Sequence, residues 1–106
     1  MKKIVLFVIL TVLLILPVYA QVGKIAGRVT IENSGQPLAN AAVILVGAEQ
    51  GTYTKNNGTF TLIDVPVGIA NVQFRYMGYG TQNLKVEVKE NETAIVNVKL
   101  VVESIG

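Results

Sequence analysis

From residue 24 onward the chain alternates apolar and polar positions with a period of two, the signature of strands with one buried face. Ile25, Gly27, Val29 and Ile31 interleave with Lys24, Ala26, Arg28 and Thr30. Phe60 and Leu62 alternate with Thr59 and Thr61. Ala70, Val72, Phe74 and Tyr76 alternate with Asn71, Gln73 and Arg75. Leu84, Val86 and Val88 oppose Lys85, Glu87 and Lys89, and Ala94, Val96, Val98 and Leu100 oppose Thr93, Asn97 and Lys99. Ala41 to Val46 is a continuous apolar run, short enough to read as a strand buried on both faces. Six strands follow, or seven if Thr52 to Thr54 forms a short one.

Turn chemistry separates these segments. Asn33-Ser34-Gly35-Gln36-Pro37, Pro66-Val67-Gly68 and Glu90-Asn91-Glu92 punctuate the pattern. Asn56-Asn57-Gly58 has the composition of a tight hairpin turn, because Asn-Gly tolerates positive φ. Beyond residue 20 the chain carries almost no helical signal. Short strands separated by frequent turns predict an all-β sandwich of antiparallel sheets.

The first twenty residues follow a different rule. Lys2 and Lys3 precede an apolar run from Ile4 to Leu16, broken only by Thr11 and ended by Pro17. Val18 and Ala20 then place small residues at the −3 and −1 positions of a cleavage site before Gln21. The apolar run falls short of the ~20 residues that span a bilayer. The expectation is a signal peptide over residues 1–20, cleaved to leave a single domain over 21–106 that does not span the membrane. Lys2 and Lys3 also account for the whole formal charge of +2, so the remainder is balanced and has no basic stripe for nucleic acid.

The missing residue types narrow the chemistry. The chain has no His, Cys or Trp. The usual zinc sites, Ser–His–Asp and Cys–His catalysis, haem ligation and Fe–S clusters are therefore excluded. Asp64 is the only aspartate, so an EF-hand loop is excluded too. A glycosidase needs two carboxylates facing across a cleft, and the alternation sends most of the acids outward instead. The expectation is a non-enzyme with no cofactor and no metal.

Several segments, in order, resemble the carboxypeptidase regulatory-like domain. They are Gly27-Arg28-Val29, Gly35-Gln36-Pro37-Leu38 with Ala42-Val43, and Thr54 to Leu62 around Asn57-Gly58. Val65-Pro66-Val67-Gly68 and Tyr76-Met77-Gly78-Tyr79-Gly80-Thr81-Gln82 complete the series. Lys55 departs from the pattern, standing where that family usually has an acidic residue. The resemblance implies an antiparallel seven-stranded, prealbumin-like (immunoglobulin-like) sandwich without catalytic residues. It further implies a module of an exported cell-envelope protein, of the kind found at the N-terminus of SusC-like TonB-dependent outer-membrane receptors, or a truncated copy of one. The alternative is a stand-alone periplasmic or secreted module that binds carbohydrate or a protein partner. A third reading, an accessory domain of a zinc carboxypeptidase, fits poorly, because its catalytic domain would precede this one. Tyr76 and Tyr79 are the candidate ligand contacts, since an aromatic face with a polar tip suits a sugar ring. The competing reading has Tyr76 joining the core, Gly78 turning the chain and Tyr79 covering a sheet edge.

Overall fold

The computed structural model describes residues 21–103, so the predicted leader over 1–20 lies outside the described residues. Seven strands among the described residues form two stacked sheets: β1 Val22–Ile31, β2 Ala42–Leu45, β3 Gln50–Tyr53, β4 Thr59–Pro66, β5 Gly68–Arg75, β6 Gln82–Val88 and β7 Thr93–Leu100. One sheet has the order β4-β1-β7 and the other β3-β2-β5-β6. The expected all-β sandwich stands, and the short strand before the Asn-Gly turn forms as β3.

Inward residues from both sheets build one core. Ile25 and Val29 of β1, Phe60 and Leu62 of β4, and Val98 and Leu100 of β7 face Val43, Leu45, Val72, Phe74, Val86 and Val88 of the other sheet. Phe60 and Phe74, read as inward from their polar flanks, are 2% and 0% exposed. Their rings meet edge to face with centroids 5.5 Å apart, one ring from each sheet. This geometry suits the aromatic quadrupole.

Two details depart from the reading by alternation. The run from Ala41 is buried on one face only: Ala41, Val43 and Leu45 point inward, Ala42 and Ile44 are half-buried, and Val46 is exposed. Among the described residues no second layer covers the outer face of this sheet, so hydrophobicity there does not signal burial. In addition, four of the strand pairings are antiparallel and one, β1 with β7, is parallel. The parallel ladder runs from Lys24 opposite Thr93 to Ile31 opposite Leu100. Gly27 lies opposite Val96 within it, and a Cβ at Gly27 would fall on the Val96 carbonyl.

The Asn-Gly turn forms, with a different role from the one expected. Lys55 and Thr59 close it through Gly58 N–H to Lys55 O (2.8 Å) and Lys55 N–H to Thr59 O (2.9 Å). Gly58 has φ of 80°, and the Asn57 side chain accepts from the backbone and hydroxyl of Thr59. The strands on either side, β3 and β4, belong to different sheets. The turn thus carries the chain from one layer to the other, although its local chemistry is that of a hairpin. β4 has a bulge of its own: Ile63 and Asp64 together oppose Lys24, and Asp64 has φ of 53°.

Candidate functional site

The strand order gathers the 32–41 connection, the 54–58 turn and the 76–81 connection at one end of the sandwich. The 76–81 connection begins with a tight turn, in which Tyr79 N–H donates to Tyr76 O (3.1 Å) and Gly78 has φ of 87°. Glycine is the residue that takes this conformation at no steric cost. Met77 stands at the apex, 93% exposed. Past the turn, Gly80 N–H donates to Val101 O and Glu103 N–H to Gly78 O, each at 2.9 Å, so this connection is fastened to the chain leaving β7.

The two candidate tyrosines are brought together there. Their ring centroids are 5.5 Å apart at an interplanar angle of 65°. It is Tyr79, not Tyr76, that packs against the core, while Tyr76 is 37% exposed. Gly78 turns the chain as expected. Because each ring already engages the other, a ligand would meet Tyr76 beside Met77 and could not intercalate between the two tyrosines.

A residue that the period-two reading did not single out joins this surface. Tyr53 pairs with Ala42, and Ala42 pairs with Arg75, so the three form one row across β3, β2 and β5. Tyr53 is 68% exposed and Arg75 is exposed. Strand spacing puts their Cα atoms about 10 Å apart, with only the Ala42 methyl between them. Asn40, Ala42, Arg75, Tyr76 and Met77 line a shallow groove of about 470 Å³. The signal for Tyr53 was available only through the register of β2 with β3, which period-two patterning does not encode.

Nothing in this arrangement assembles reaction chemistry. All seven carboxylates of the chain are exposed, and no set of three or more His, Cys, Asp or Glu side chains among the described residues is placed to hold a metal. At the opposite end, a hollow of about 300 Å³ lies beside the β4 bulge and brings Lys24 and Asp64 near Asn91 and Glu92. It offers polar contacts without a nucleophile and its base. Among the described residues no helix is long and apolar enough to cross a membrane.

Comparison with known proteins agrees with this picture. A family model described as the CarboxypepD_reg-like domain matches residues 25–105. A TonB-dependent receptor, P3 of Formosa agariphila, is 34% identical over 81 residues, which are 76% of this chain and 8% of the receptor. The chain thus spans less than a tenth of that relative. Among solved structures, the Bacillus anthracis TIE protein superposes with a TM-score of 0.64 at 26% identity, over 77% of this chain and 17% of that one. The minor pilin GBS52 of Streptococcus agalactiae gives 0.63 at 13% identity, over 84% and 48%, a likeness of fold alone. The match covers all seven strands but the first three residues of β1, and on this ground the chain belongs to the CarboxypepD_reg-like domain family, a non-catalytic β-sandwich.

Proposed function

We propose that this chain is the β-sandwich module of a larger exported envelope protein of the TonB-dependent receptor kind, placed at its N-terminus after removal of residues 1–20. It works by docking, without catalysis. The observation that carries this reading is the 34% identity to the receptor from Formosa agariphila over an intact, fully cored domain. A segment that aligns with 8% of a receptor and still builds its own closed core is what a modular part of such a protein would be. The charge balance beyond Lys3 argues against nucleic acid as a partner.

Fractionation of cells with an antibody against residues 21–103 tests it. The expected result is a signal in the outer-membrane fraction on a polypeptide far larger than 11.4 kDa, lacking residues 1–20. A small soluble periplasmic or secreted species would favour a second reading, a stand-alone binding module. That reading draws on the exposed Arg75, Tyr76 and Met77 of the groove and on Tyr53 in the row beside it, since Tyr, Arg and Met are enriched where proteins meet partners. Carbohydrate is the other ligand class suited to those tyrosines, and titration of the protein with oligosaccharides against Tyr53→Ala and Tyr76→Ala variants separates the two.

A further inference from the structure

We propose that this sandwich is a tension-resisting link, which holds through shear of the β1/β7 ladder when its two ends are pulled apart. Among the described residues β1 and β7 are the first and last strands, they are neighbours, and they run parallel over eight residue pairs. The chain therefore enters at one end of the sandwich and leaves at the other, about 25 Å away along the ladder. A pull on the entering and leaving segments drives β1 and β7 in opposite directions along their common axis. Every rung then resists at once, whereas strands pulled apart from one end lose their rungs singly.

The surroundings of the ladder support this use. β1 is held on its other side as well, by β4 as far as Arg28 and then by Val29 N–H to Gly58 O (2.8 Å), Leu38 N–H to Val29 O (3.0 Å) and Ile31 N–H to Gln36 O (2.9 Å). It cannot slide without breaking both flanks. Val98 and Leu100 of β7 and Ile25 and Val29 of β1 are buried, so sliding also drags core side chains past the opposite sheet. Gly27 keeps the two backbones in contact at mid-ladder. Tension of this kind arises wherever the segments joined to the two ends are separately anchored. The property belongs to the fold and goes beyond the receptor reading, so the measurement below can fail without affecting the fractionation result, and the reverse.

Single-molecule force spectroscopy on the 106-residue chain tests the proposal. The chain has no native cysteine, so handles attach only at introduced thiols. With handles at Gln21→Cys and Glu103→Cys the ladder is sheared. With handles at Ser34→Cys and Glu103→Cys both strands are pulled from the same end and the ladder unzips. The expected unfolding force at one loading rate is several times higher in the first geometry, since forced unfolding reads the barrier and not the equilibrium stability. Equal forces in the two geometries would overturn the proposal. In the sheared geometry, Val98→Ala in the ladder should lower the force more than Val72→Ala, which truncates a buried side chain of β5. Equal losses from the two would also overturn it. If Val98→Ala does not fold, the comparison of handle positions decides alone.

Discussion

Thr54 is the one buried polar side chain among the described residues, 3% exposed, and its hydroxyl both accepts and donates. It accepts from Ala41 N–H at 2.9 Å and donates to Leu38 O at 2.5 Å, fastening the 38–41 connection to the end of β3. Thr54→Val keeps the shape and leaves both backbone groups without partners, so it should cost about 1–3 kcal/mol by denaturant titration. Truncating Phe60 or Phe74 to Ala should cost roughly 3–5 kcal/mol each. An unchanged melting temperature for either would contradict their edge-to-face burial. At Gly58 two constraints add: φ is positive, and a Cβ would lie 2.6 Å from the Val29 carbonyl oxygen. Gly58→Val should lose more than ~1 kcal/mol. Asn57→Gly gives up only the side-chain bonds to Thr59 and should be tolerated far better, a ranking that thermal melts can check. The phenylalanines and Gly58 are legible in the sequence, since alternation and turn chemistry are local properties. Thr54 is not, because a threonine beside a turn looks the same in sequence whether its hydroxyl meets water or two buried backbone groups.

Among the elements, β1 is the one on which the others depend. It pairs with β4 on one side and β7 on the other, and Gly27 is where its backbone comes against β7. Gly27→Ala forces a methyl into that contact. The expected cost is about 1–3 kcal/mol of overpacking, or more where the strands must part. Hydrogen exchange should show the loss of protection concentrated in β1 and β7, with β2 and β3 changed least; a uniform loss would mean that the contact is not local to the ladder. Five strand positions were legible from the period of two and β2 from its apolar run, while β3 was only a conditional reading over Thr52 to Thr54. Their partners were not: periodicity states which face is buried and is silent about which strand lies alongside. Hence the parallel β1/β7 pairing, the turn that crosses between sheets and the row that sets Tyr53 beside Ala42 of the groove emerged only from the fold. The bulge in β4 was hidden for a related reason. Leu62 and Val65 are both buried although three positions apart, a slip taken up here at Asp64, which lies in the left-handed region.

For the whole molecule, the pairing of the first strand with the last sets the conditions of folding. A chain ending at Glu92 would lack β7, removing Val98 and Leu100 from the core and leaving β1 with an open edge from Lys24 to Ile31. Circular dichroism and near-UV signals of such a truncation should be those of an unfolded chain, while the domain through residue 103 is cooperative. With its ends joined late, the intact domain should refold in milliseconds to seconds, the range of non-local β topologies. The same closure has a consequence for biogenesis. A polypeptide delivered N-terminus first, from a ribosome or through a membrane pore, presents β1 long before β7. The sandwich cannot complete until residue 100 has cleared the exit, so the segment stays threadable throughout its passage. It commits to a rigid body only on the far side.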